Sequence, residues 1–297
     1  MTQSCVLSLG FFDGVHLGHA GLLRRTRALA DKLGVCAAAL TFDVHPDTLV
    51  RGLPIPLLNT PEERIFLMKT LYGIDEVQIL HFDRATMNLP WEDFLTQTVI
   101  GEYHAVHVVC GHDFRFGAYG EGTPEKLAQL CSSLHCGFDC ISEICMESET
   151  VSSSRIRDLL NNGEIAKAVR FLGHPHFLSG KVVGGKQLGR TLGIPTANLE
   201  VSPQILLPKR GVYAAKAHFD GLERFAVVNI GCRPTVGGET VTVEPWILDF
   251  DGNLYGHRIC LSLYEFLRPE KKFESLDVLR TEIQCNAAQT RRFFEQN

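Results

Sequence analysis

Two histidines three residues apart, His16 and His19, stand in the stretch GFFDGVHLGH at positions 10–19. That spacing puts both imidazoles in the first turn of a helix, on neighbouring positions and facing outward. Backbone N–H groups at a helix start attract phosphate. Two imidazoles placed there can donate hydrogen bonds to a phosphate whose negative charge grows in a transition state. Gly10, Gly14 and Gly18 let the chain approach such a ligand closely, and Phe12 and Asp13 fill the tight part between them. The plain alternative is a pair of solvated histidines, so other segments must agree. GHDFRFG at 111–117 follows the apolar run AVHVVC and presents Asp113, and SSSRIR at 152–157 offers Ser153 for a cap and Arg157 for a phosphate.

These residues need elements to hold them. CVLSLG reads as a buried strand, and LGHAGLLRRTRALADKLG as a helix with Leu22, Leu29, Ala30 and Leu33 on one face. VCAAALTF, EVQILHF and AVHVVCG are further strands. In TPEERIFLMKTLYG, Thr60 caps a helix, Pro61 opens it, Glu63 closes a capping box and Gly73 ends it. TPEKLAQLCSSLHCG is another capped helix. Strands separated by helices require crossovers, hence a parallel α/β sheet, and the histidines then lie at its ligand-binding edge. After about residue 175 closely spaced strands follow Gly-rich turns with no helical period until Ser275. That pattern predicts an antiparallel barrel or sandwich, closed by a C-terminal helix carrying Leu276, Leu279, Ile283, Ala287 and Phe294. The break between the two textures falls within FLGHPHFLSG, 171–180.

The 297 residues are enough for two cores, and the net charge of −5 supplies no basic field for nucleic acid or an anionic membrane. Residues 1–9 lack a basic leader, and the apolar run after Ser4 is too short to span a bilayer. The ten cysteines are then expected as reduced thiols in a cytoplasmic protein. The spacings in CSSLHCGFDCISEIC do not form the paired knuckles of a zinc site.

GFFDGVHLGH, TFDVHP, GHDFRFG and SSSRIRDLL, followed in order by GKVVGGKQLGRTLGIPTANLE, GVYAAK, NIGCRPTVGG, VEPWILDFDGNLYG and EFLRPEKKFESLDVLRTEI, span nearly the whole chain. Together they resemble the bacterial bifunctional riboflavin kinase/FMN adenylyltransferase family, and the histidine pair is the HxGH signature of the wider nucleotidyltransferase superfamily. The resemblance implies a Rossmann-like adenylyltransferase domain at 1–173 and a mainly antiparallel β-barrel kinase domain at 178–297. The first would transfer AMP from ATP to FMN, giving FAD and pyrophosphate. Its nucleophile is an ionised phosphate, so alignment and charge stabilisation suffice without a base. His19 would act on the α-phosphate with help from His16. Arg157 would meet the outer phosphates, and Asp113 the ATP or FMN side. Val44-His45-Pro46 stands where family members often have Pro-His-Pro, and Ser154 where threonine is usual.

The second domain would phosphorylate riboflavin, whose 5′-hydroxyl benefits from a base. Glu244 occupies the position of the family's catalytic glutamate. Thr196 and Asn198, one residue apart in PTAN, offer neutral oxygens suited to Mg²⁺ that also binds ATP phosphates. Gly184 and Gly189 lie in the Gly-rich run before them, where the backbone can approach phosphate, although no Walker loop is present. Arg268 and Trp246 are placed on the flavin side. Pro245 removes a ladder donor and suggests a strand edge or start. Expected partners are riboflavin, FMN, FAD and ATP, with neither nucleic acid nor membrane, for a monomer or weak homo-oligomer.

Overall fold

A computed structural model describes residues 3–184, 193–235 and 238–296. Gly189 therefore lies outside the described residues. The chain divides into two compact units, Met1–Ser153 and Ser154–Asn297.

In the first unit β1 (Cys5–Leu9) feeds α1 (Leu17–Leu33), followed by β2 (Cys36–Phe42), the short α2 (Pro46–Arg51) and α3 (Pro61–Tyr72). Then come β3 (Glu76–Leu80), α4 (Arg84–Met87), α5 (Trp91–Asp93) and a π-helical stretch over Phe94–Glu102. β4 (Ala105–Gly111), α6 (Pro124–Ser133), β5 (Gly137–Ile141) and a small β6 (Cys145–Met146)/β7 (Glu149–Thr150) hairpin complete it. The sheet is wholly parallel in the order β3-β2-β1-β4-β5. Every residue of β1 is buried, as a central strand covered on both faces must be. The chain order reverses beside β1, so the crevice at the carboxyl ends of β1 and β4 is the topological switch point.

The local signals act as expected at α3. Thr60 and Glu63 form a reciprocal capping box, Pro61 opens the helix, and Gly73 ends it in the left-handed conformation. On α1, Leu22, Leu29 and Ala30 are buried, whereas Leu33 in the last turn is exposed.

The second unit takes α7 (Ser153–Asn162, from its second residue on) and α8 (Ile165–Leu172). β8 (His176–Val183), β9 (Asn198–Val201), β10 (Gly211–Phe219), β11 (Leu222–Thr235), β12 (Gly238–Ile247) and β13 (Arg258–Arg268) follow, and α9 (Leu276–Gln296) ends the chain. The six strands form a closed antiparallel barrel in the order β10-β11-β12-β9-β8-β13. Closure removes sheet edges, which decides between barrel and sandwich. It also corrects the reading of Pro245. That residue lies within β12 opposite Val228, and its carbonyl accepts from Ala197 N–H at 2.9 Å. α8 buries Ile165, Ala168, Phe171 and Leu172 and packs on β8 and β13. α9 buries Asn286, Ala287 and Thr290 and stacks Phe294 on Phe225 at 4.8 Å, while Leu276 is exposed.

Candidate active sites

At the end of β1 the chain makes a sharp turn before α1. Phe12 and Val15 adopt left-handed backbone, with φ of 56° and 41°. Such a conformation persists in non-glycine residues only where neighbours over-determine it. Asp13 Oδ1 accepts from Leu58 N–H at 2.9 Å, and Ser153 Oγ donates to Asp13 O at 2.9 Å. Gly14 has φ 80°, and a Cβ at Gly18 would stand 2.8 Å from Val151 O. Both positions therefore need glycine.

The turn delivers the histidines differently from the outward pair expected. His16 is the N-cap residue of α1, its carbonyl accepting from His19 N–H at 2.8 Å, and its side chain is buried. The two rings stack at 3.6 Å, and Phe12 meets His19 edge-on at 5.2 Å. The reason is the left-handed turn, which folds the chain back over the helix start. Burial, followed by the neighbouring His16 and Arg64, holds His19 well below the usual imidazole range. A neutral imidazole there is a hydrogen-bond donor rather than a fixed cation.

At the end of β4, Asp113 is exposed beside Gly111 in a turn closed by Phe114 N–H to Gly111 O at 3.1 Å. GHDFRFG also forms one wall of a cavity of about 580 Å³, with Phe42, Phe82 and Phe94 among its other aromatic residues and Arg115 and Tyr119 at hand. This cavity was not read from the sequence, although three of its walls, Arg115, Phe116 and Gly117, stand in the quoted motif. Arg157 is half-buried on α7.

The barrel holds two further cavities. One, of about 290 Å³, is lined by Pro195, Thr196, Pro245, Phe250, Asn253 and Tyr255. The other, of about 350 Å³, is lined by Thr196, Asn229, Glu244, Trp246, Arg268 and Phe273, among others. Thr196 belongs to both walls. Glu244 is half-buried on β12, in register with Asn229 of β11. Asn198 begins β9 and pairs with Val183 at the end of β8, next to the exposed Gly184. Arg268 donates to Asn286 Oδ1 at 3.1 Å and pairs with Glu282 at 3.0 Å, so α9 orients it. Asn229 and Glu270 also line this cavity and were missed; their strand and loop contexts carry no local signature.

Among the described residues no cluster of three or more His, Cys, Asp or Glu side chains forms a metal site, and no helix is long and apolar enough to cross a membrane. Among the described residues the ten cysteines are thiols, none of them in a disulfide.

The comparisons agree with this geometry. A family model for FAD synthetase matches residues 1–155, and one for riboflavin kinase matches residues 172–294. A bifunctional riboflavin kinase/FMN adenylyltransferase from Listeria monocytogenes is 33% identical over 97% of this chain and 92% of its own. The enzyme of that description from Escherichia coli K12 is 35% identical over 98% and 93%. A crystal structure from Streptococcus pneumoniae, described as a macrolide-efflux protein, superposes with a TM-score of 0.88 at 28% identity, covering 98% of this chain and 95% of that one. The chain belongs to the bifunctional riboflavin kinase/FMN adenylyltransferase family. It is an ATP-using transferase of flavin-cofactor biosynthesis, with a kinase and a nucleotidyltransferase activity.

Proposed function

We propose the following division of roles between named residues. In the first unit ATP lies at the switch point beside the GFFDG turn. Gly10, Phe12, Asp13, Gly14 and Gly18 shape its cradle. Ser153 secures that turn through Asp13 O, and His19 donates a hydrogen bond to the α-phosphate as FMN attacks, with His16 assisting through the stack of the two rings. Asp113 borders this crevice at the end of β4. Arg157 is assigned to the outer phosphates from its motif. The aromatic cavity of about 580 Å³ suits the planar ring of the flavin.

In the barrel, ATP takes the cavity beside Phe250 and Tyr255, and riboflavin takes the one beside Trp246 and Arg268. The observation that carries this reading is Thr196, which lies in both walls. A phosphoryl group passing from one cavity to the other would cross at that residue. Glu244 stands on the flavin side and would take the proton of the attacking hydroxyl. Gly184, and Gly189 by its motif, would leave room for the phosphates.

The donor set fits Mg²⁺. Thr196 and Asn198 supply neutral oxygens without a carboxylate cage, as suits a cation that shares its shell with phosphates and water. Bound there, the ion would neutralise phosphate charge. Both half-reactions handle ATP phosphates, so removal of divalent metal by a chelator should stop riboflavin phosphorylation and FMN adenylylation alike. Full-rate turnover of either half without divalent metal would overturn the assignment. We read the protein as a cytoplasmic monomer or weak homo-oligomer.

The proposed activity boundary remains at 173–178. A fragment of residues 178–297 should phosphorylate riboflavin but melt below a fragment of 154–297. The shorter piece lacks Phe171 and Leu172, each buried side chain contributing about 1.5–3 kcal/mol. Thermal unfolding of both fragments, with kinase activity as readout, checks this. An inactive, unfolded 178–297 beside an active 154–297 would move the boundary to the start of α7.

A further inference from the structure

Arg64 has no exposed surface, although it carries a guanidinium. It stands on the face of α3 that also buries Leu67, Met68 and Tyr72. Burying such a charge is costly and needs compensation. Its Nη1 donates to Thr41 Oγ1 at 2.8 Å and to Phe42 O at 2.9 Å, and its Nε donates to Asn59 Oδ1 at 3.4 Å. The guanidinium also lies 4.3 Å from the centre of the Phe11 ring. Thr41 Oγ1, while accepting from Arg64, donates to Phe11 O at 2.6 Å. Arg64 Nη2 and Asn59 Nδ2 have no hydrogen-bond partner among the described residues. Burial draws the Arg64 guanidinium down to about 10, with the negative charge of Asp13 opposing it, so it stays a cation near neutrality.

These contacts converge on one segment. Arg64 grips Phe11 twice, through the ring and, by way of Thr41, through its carbonyl. The next residue, Phe12, is left-handed and presses edge-on against His19. We propose that Arg64 is a positioning residue for adenylyl transfer, clamping the strained Phe11–Phe12 turn against which His19 rests. The proposal depends on reading the first unit as the adenylyltransferase. A planar fork is required to serve Thr41, Phe42 and Asn59 while lying on a ring, and lysine cannot reproduce it. The clamp acts on the alignment of His19 rather than on ATP capture, so its loss falls on kcat.

The test uses the full chain. Adenylyl transfer is measured with FMN and ATP, nucleotide binding with a non-hydrolysable ATP analogue, and riboflavin phosphorylation as an internal control. Arg64→Lys and Arg64→Gln should lower kcat of adenylyl transfer by about 10- to 100-fold, the scale of a small misplacement of reacting groups. KM for ATP and analogue binding should change by less than about threefold, because uniform binding is retained. Riboflavin phosphorylation should be unchanged. Thr41→Val breaks the link to Phe11 while leaving Arg64 in place, and should lower the same kcat. Unchanged kcat in Arg64→Lys overturns the proposal, as does a fall no larger than the folded fraction lost by near-ultraviolet circular dichroism. If both Arg64 variants unfold, Thr41→Val decides alone, and full activity in it overturns the clamp. A wild type unable to convert FMN to FAD overturns the adenylyltransferase reading and the proposal with it, whereas an active wild type beside unaffected variants overturns only the role of Arg64.

Discussion

Glu244→Gln is expected to remove most FMN formation while leaving FAD formation from supplied FMN close to normal. The carboxylate stands on β12 in the wall of the cavity that also holds Trp246 and Arg268, and next to Pro245 of the neighbouring cavity. Glutamine keeps the size and hydrogen-bonding reach of the side chain but cannot take a proton. An alcohol attacking a phosphoryl group without that help is slowed on the order of 10²–10⁴-fold. The barrel should stay folded, because Glu244 is only half-buried and its backbone pairing with Asn229 survives the change. The rate with riboflavin and ATP measures the effect, with a melt of the variant as control. Retention of more than a tenth of the kinase rate would exclude Glu244 as the base.

His19→Ala should do the reverse. FMN would form and accumulate, and FAD would not follow. The imidazole is held in place by stacking on His16 at 3.6 Å and by the edge of Phe12, so little reorganisation is needed when charge develops on a phosphate beside it. Losing one preorganised donor of this kind costs about 2.7–4 kcal/mol, or 10²–10³ in rate. His16 is not expected to substitute from its capping position, since its ring stacks on that of His19 and is almost fully buried. FMN adenylylation by the variant is measured directly, with supplied FMN. A rate within a few-fold of wild type would remove His19 from the chemistry.

The fold was legible where local rules and tertiary packing agree. The capping box of α3, the uninterrupted apolar run of β1 and the change from helix-separated to turn-separated strands each have a local physical cause. The family resemblance implied the barrel, but the strand pattern alone left barrel or sandwich open, because closure depends on β8 meeting β13 across most of the second unit. The short α2 and α4 were missed as well, being too brief for a helical period to show. In the first site, the residue types of GFFDGVHLGH were readable but the burial of His16 and its stacking on His19 were not. That burial follows from left-handed backbone at Phe12 and Val15, which neither side chain prefers. Arg64 did leave a trace. It falls in phase with Leu67, Met68 and Tyr72, a charge on the apolar face of a well-capped helix.

The central claim is that each half of the chain carries one chemistry. It is tested most directly by running both half-reactions, each fed with its own substrate, ATP and Mg²⁺, in wild type, Glu244→Gln and His19→Ala. The account predicts a clean crossing. Glu244→Gln should make FAD from FMN but little FMN from riboflavin, and His19→Ala should make FMN from riboflavin but little FAD from FMN. If Glu244→Gln stops FAD synthesis from FMN, or His19→Ala stops FMN synthesis, while both proteins remain folded, the division of chemistry between the two halves is wrong.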